Sequence, residues 1–120
     1  MKKSFLPVLL VLLILLVNCS DYPKEEFCGV SDPLKNINWL HEIYLFAERN
    51  NVKSRITKVI YKDEEGFIIE TFIDQPADNM VTFRNCSNEI ICEWGGIGGI
   101  ISCPDFQDYV TFSEILWTNE

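Results

Sequence analysis

Apolar residues fall into three patterns along the chain. The first is the uncharged run Leu6–Val17, which follows Lys2 and Lys3. The second has helical spacing and the third consists of short β-branched stretches separated by turn residues. The helical stripe comprises Leu34, Ile37, Leu40, Tyr44 and Ala47, widened by Trp39, Ile43 and Phe46. The order of the patterns predicts a leader, then one helix, then a sheet.

Residues at both ends of the helical stripe predict where the helix begins and ends. Asp32 is a residue type that caps exposed amides, and Pro33 suits the first turn because it has no amide to satisfy. Asn50 and Asn51 provide a stop. We therefore predict one amphipathic helix over residues 33–49.

Five later segments have strand character. They are Arg55–Tyr61, Phe67–Ile73, Met80–Asn85, Glu89–Trp94 and the closing segment Ile115–Trp117. Turns are expected at 63–66 and 86–88, and a short helical turn at 103–106. The predicted fold class is α+β, with one N-terminal amphipathic helix packed on an antiparallel β-meander of about four to five strands and two disulfides.

The apolar run near the N-terminus predicts an exported protein. It is shorter than the roughly 20 residues that a transmembrane helix needs, and its length and flanks are those of a secretory signal. The segment Leu16–Cys19 resembles a bacterial lipobox, in which the Cys is acylated, although Asn18 replaces the usual small residue. We therefore divide the chain into a signal peptide (1–18), a lipid-anchored tether (19–30) and one domain (31–120). The alternative is ordinary secretion, with Cys19 as a spare thiol.

Residues after Cys19 bear on where the anchor is placed. By resemblance to known sorting rules, Ser20 favours the outer membrane, and Lys24-Glu25-Glu26 resembles a signal for export to the cell surface. For Lys24-Glu25-Glu26, a plain hydrophilic spacer is the favoured interpretation. The expected location is the outer membrane of a bacterial envelope, facing the periplasm or the cell surface, and the expected partners are the membrane, through the anchor, and a protein.

Cysteine count supports acylation of Cys19. The chain has five cysteines, so assigning one to lipid leaves an even set of four: Cys28, Cys86, Cys92 and Cys103. Four cysteines allow three pairings. We favour Cys92–Cys103, because that loop is otherwise loose, which leaves Cys28–Cys86.

Charge excludes one class of partner. Without the signal peptide, the chain has eight basic and eighteen acidic residues, a net charge of −10. A field of this sign repels nucleic acid, which we exclude as a partner. It favours a basic partner, or it serves only to keep an exported domain soluble.

No pattern in the sequence predicts catalysis, a metal site or a cofactor. The only histidine, His41, lies in the predicted helix, and no free cysteine remains to join it in a zinc site. The acidic clusters at 63–66 and 74–79 lack the spacing of a calcium loop. A small hydrolase with paired carboxylates is the least favoured alternative, since no motif selects a pair.

The glycine-rich segment 95–99 is the most unusual feature. It lacks the Lys and Ser or Thr of a phosphate-binding loop. It has two interpretations: it presents Trp94, Ile97 and Ile100 as an apolar partner-binding edge, or its glycines let the chain pass close over the sheet. The second is favoured, and the first gives the candidate binding residues.

Two stretches of the chain resemble a family of small uncharacterised Bacteroidota lipoproteins. They are Pro33-Leu34…Ile37…Trp39-Leu40…Glu42-Ile43 and Cys86…Ile91-Cys92…Gly95-Gly96-Ile97…Gly99…Cys103-Pro104-Asp105-Phe106, followed by Ile115…Trp117. The chain lacks the family's usual Gly near Asn88 and its extra cysteines before Asp78. The resemblance implies lipoprotein export and an α+β fold, with no catalytic residues. We therefore expect a non-enzymatic binding module of the envelope; the alternatives are an inhibitor or immunity-type protein acting on a basic toxin or protease, and a purely structural envelope component.

Overall fold

A computed structural model describes residues 25–95 and 100–120. The predicted signal peptide (1–18) and Cys19 lie outside these residues. The chain begins with helices α1 (Pro33–Asn36) and α2 (Asn38–Arg49). The strands are β1 (Arg55–Tyr61), β2 (Glu64–Thr71), β3 (Met80–Asn85), β4 (Ile90–Gly95), β5 (Ile100–Ile101) and β6 (Val110–Thr118), with a 3₁₀ helix at Phe106–Tyr109. No helix among the described residues is long and apolar enough to cross a bilayer.

All six strands form one antiparallel sheet in the order β5-β4-β3-β2-β1-β6. Strands β1 to β4 are a meander of hairpins, as their closeness in sequence favours. Strand β6 then returns to the far side and pairs with β1, where Ile56 faces Trp117 and Lys58 faces Glu114. The segment before β6 therefore crosses one face of the sheet.

The predicted fold class is wrong. The structure is mainly an antiparallel sheet of six strands with short helices, and no single helix spans residues 33–49. The helix is broken at Ile37, whose φ of −99° and ψ of 110° are extended. The break changes the chain direction so that Leu34, Ile37 and Leu40 all contact one core cluster. Asp32 makes no side-chain cap, since its own backbone is left-handed at φ 48°.

The first hairpin also differs from the expected turn at 63–66. Lys62 and Asp63 have φ values of 49° and 64°, which is a two-residue turn whose twist matches the flanking strands. Gly66 lies inside β2 instead. A Cβ atom there would be 2.4 Å from the backbone oxygen of Arg84. Glycine is needed at this position because β2 and β3 approach too closely for a side chain.

Each face of the sheet has its own core cluster. On the helix side, Leu40 packs with Ile56, Phe67 and neighbouring side chains. On the opposite face, Phe106 from the 3₁₀ helix covers Phe83 and other strand residues. The strands thus have apolar residues on both faces. Their sequences therefore lack the strict alternation of apolar and polar residues that is typical of a sheet with one solvent-exposed face.

Two disulfides are present, in the pairing that the sequence favoured. Cys28–Cys86 has a Cα–Cα distance of 5.6 Å and Cys92–Cys103 one of 5.5 Å. Next to Cys28, Phe27 is buried in the helix-side cluster and pairs with Val30 through an isolated bridge. The folded body therefore includes part of the segment between residues 19 and 30.

Candidate functional site

An open groove of about 430 Å³ lies on the sheet face opposite α2, and we call it the sheet groove. It is lined by residues of strands β1 to β4 and β6 and by the segment before β6 that crosses this face. Its principal lining residues are Arg55, Glu70, Trp94, Phe106, Gln107 and Ile115. This volume lies within the range of small-molecule binding clefts.

An ion pair forms the polar part of the sheet groove. Arg55 on β1 faces Glu70 on β2, and the Nη1–Oε2 distance is 3.1 Å. Arg55 Nη2 pairs with the Glu120 carboxylate as well. Its Nε atom is buried and has no acceptor among the described residues. The groove therefore holds one cation between two carboxylates.

A disulfide fixes the apolar wall of the sheet groove. Cys92 is fully buried on β4, and its bond to Cys103 holds the following segment against the sheet. Phe106 in that segment packs edge-on against Trp94, with ring centroids 4.8 Å apart. Because the wall depends on a covalent link, the groove shape depends on an oxidised Cys92–Cys103 pair.

A second depression of about 340 Å³ lies between α2 and strands β2 and β3, and we call it the helix groove. Trp39, Ile43 and Phe46 from α2 line one side, and Ile69 lines the other. Phe46 is 56% exposed, which is unusual for a phenylalanine beside a core. Arg84 on β3 is the cation of this groove.

Neutral groups hold Arg84. Its Nε donates to Thr82 Oγ1 at 3.1 Å, and its Nη1 donates to Asn88 Oδ1 at 3.0 Å. Burial lowers the pKa of Arg84, and the negative charge of Glu93 partly raises it again. An arginine remains charged under such a shift. Arg84 is thus a partly desolvated cation with neutral hydrogen-bond acceptors.

Comparison with known proteins places the chain in a family. The profile of DUF6970, described as a domain of unknown function, matches residues 43–119. The chain belongs to the DUF6970 family. The match runs from within α2 through β6, so both grooves are built mainly from the DUF6970 domain. No curated protein and no solved structure matches the chain.

The structure brings only part of the predicted binding edge into a site. Trp94 of the DUF6970 domain lines the sheet groove. Ile97 lies outside the described residues, as does the side chain of Ile100, whose backbone pairs with Gly95 in β5. Whether the glycine loop is a binding edge stays a prediction.

Other candidate residues lie apart from both grooves. His41 is half-buried, with Nδ1 3.2 Å from the Leu34 carbonyl oxygen. Within residues 25–95 and 100–120, no three His, Cys, Asp or Glu side chains are grouped so as to hold a metal ion. Arg55 and Arg84 were not among the candidate residues inferred from the sequence. Their position inside predicted strands was a signal, because a charged residue on a strand with apolar residues on both faces needs a partner.

Proposed function

We propose that the DUF6970 chain is an exported lipoprotein of the bacterial envelope that binds a protein partner through the sheet groove, without catalysis. The leader pattern and Cys19 support export and anchoring, as does the resemblance to Bacteroidota lipoproteins. Two disulfides fit an oxidising compartment outside the cytoplasm. The anchor would hold the domain at a membrane surface, where its partner is met.

The observation that carries the binding proposal is the apolar surface around the sheet groove. Ile115 and Ile101 are 56% and 63% exposed, and their strand partners place them on the Trp94 side of the sheet. Exposed isoleucines beside Trp94, Phe106 and an arginine resemble the composition of interface hot spots. The negative charge of the chain favours a basic partner and speeds its approach.

An inhibitor or immunity-type protein is the sharper form of this proposal. Such a protein needs a rigid surface that fits one target, and the Cys92–Cys103 link makes the groove wall rigid. The acidic field suits a basic toxin or protease as that target.

Cys19→Ala tests the anchor. We expect the variant to lose acylation and to be recovered in the soluble fraction, since several acyl chains hold a lipoprotein in the bilayer and a protein without them has no such anchor. Mass spectrometry of the mature N-terminus and membrane fractionation measure the result. Unchanged membrane association of the variant would contradict the lipid anchor. So would an unsubstituted mature chain that begins at a residue other than Cys19.

Ile115→Lys tests the groove. A buried charge at the centre of an interface is costly, so we expect at least a tenfold loss of affinity for the protein captured from envelope extracts. Ile90→Lys is the matched control, because Ile90 is 52% exposed and lies on β4 outside the groove. Equal capture by both variants would contradict binding at the sheet groove, and so would the absence of any captured protein.

A further inference from the structure

Arg84 differs from the other groove arginine in its surroundings. Two carboxylates pair with Arg55 in the sheet groove. No carboxylate among the described residues lies within ion-pair distance of Arg84, which bonds only to Thr82 and Asn88. A chain with this excess of acids has ample carboxylates to pair with it. The helix groove therefore holds a positive charge that makes no ion pair with a described carboxylate. The negative charge of Glu93 raises the pKa of Arg84, but from beyond ion-pair distance.

The turn after β3 positions the guanidinium. Asn88 has a φ of 66°, in the left-handed region where glycine is the usual residue. Asparagine tolerates this conformation and, unlike glycine, has a side-chain oxygen that accepts from Arg84 Nη1. Asn88 therefore forms the turn and also supplies an acceptor oxygen to the helix groove. Nη2 makes no hydrogen bond to a described residue and is accessible to solvent or to a ligand.

An apolar wall adjoins this charge. Phe46 is more than half exposed, and it lines the same groove as Trp39, Ile43 and Ile69. Trp39 is fixed in place by its indole N–H, which donates to the Cys86 carbonyl oxygen at 3.1 Å. A ligand that covers these side chains and reaches Arg84 must have an apolar body and an acceptor head.

We propose that the helix groove binds a small amphiphilic anion, whose carboxylate-type head pairs with Arg84 and whose apolar body covers the α2 wall. Glu42 also lines the groove, and the whole chain is acidic, so an anion without an apolar body would be repelled overall. The short-range pair with Arg84 is stronger than this field because it is partly desolvated. The site is on the opposite side of the sheet from the sheet groove and does not depend on the proposed partner.

The test is an NMR titration of the purified full chain with octanoate and, in parallel, with uncharged octanol. Cys19 is replaced by Ala so that no acyl chain of the protein competes. The indole N–H signals distinguish the sites, because Trp39 lines the helix groove and Trp94 the sheet groove. We expect octanoate to shift the Trp39 signal with an affinity at least tenfold higher than that of octanol.

Arg84→Gln should remove that preference. A hydrogen bond to a charged group accounts for about a tenfold to hundredfold difference in affinity, so octanoate should bind the variant no better than octanol. Arg49→Gln is the matched control: it removes the same charge from an exposed position at the end of α2, outside the groove. It should bind octanoate like the unchanged chain.

Four results would overturn the proposal. They are no shift of the Trp39 signal, a shift of the Trp94 signal alone, equal affinities for octanoate and octanol, and equal losses in the Arg84 and Arg49 variants. If Arg84→Gln does not fold, Asn88→Gly provides the second measurement. It keeps the turn but removes the acceptor that orients Arg84, and we expect about a threefold or larger loss for octanoate with octanol unchanged. None of these results tests protein binding at the sheet groove, so the two proposals fail independently.

Discussion

Replacing Cys28 and Cys86 together by Ala is expected to lower the free energy of unfolding by about 4 kcal/mol. The disulfide joins residues 58 positions apart, so it removes much conformational entropy from the unfolded chain. It also ties the segment before α1 to the turn after β3, where Trp39 donates to Cys86. Denaturant unfolding of the oxidised protein measures the change.

The second disulfide is the natural control for the first. Cys92 and Cys103 are only 11 positions apart, and the same chain-entropy argument gives about 3 kcal/mol for their double replacement by Ala. The larger loss should therefore follow removal of Cys28–Cys86. A larger loss for the Cys92 and Cys103 variant would mean that the buried position of Cys92 in the core outweighs the length of the closed loop.

Strand positions were the most predictable part of the fold. The predictions for Arg55–Tyr61 and Met80–Asn85 are confirmed to the residue by β1 and β3. Both segments are rich in β-branched and aromatic residues and end at turn residues, so local preference and tertiary structure agree. The disulfide pairing, favoured because the loop between Cys92 and Cys103 is otherwise loose, is also present in the structure.

Tertiary contacts decided the parts that the sequence did not predict. The helical stripe continues through Ile37, and only packing of that residue into the core requires an extended backbone there. The sequence predicts Gly66 as a turn residue, but glycine is required at this position because β3 approaches β2 too closely for a side chain. The pairing of β6 with β1 depends on contacts between distant parts of the chain, which periodicity does not encode.

The candidate sites were less predictable than the fold, for a related reason. Trp94 was predicted to bind a partner because it precedes the glycine-rich segment, and it lines the sheet groove. Arg55 and Glu70 become partners only through the register of β1 and β2. Arg84 is distinguished by the lack of an ion pair with any described carboxylate. A sequence does not show which carboxylates lie within that distance. Strand register must be known before either arginine can be assigned to a groove.

Phe67→Ala is expected to be the most destabilising single replacement in the helix-side core, at about 3–5 kcal/mol. Phe67 has no solvent exposure, and its ring packs edge-on against Phe27 and Trp39 at centroid distances of 5.4 and 5.8 Å. Removing the ring leaves a cavity between the strand, the N-terminal segment and α2. These elements are held in place by a disulfide and by backbone hydrogen bonds, so they have little freedom to close it.

Phe46→Ala is the matched control for that experiment. It removes the same ring from α2, but at a position that is 56% exposed, so we expect a loss of about 0.5 kcal/mol or less. Chemical denaturation of both variants gives the comparison. A large loss for Phe46→Ala would show that this ring stabilises the fold, and its exposure would then be no argument for a ligand in the helix groove. A small loss, with weaker octanoate binding, would mean that the ring is kept at the surface for binding.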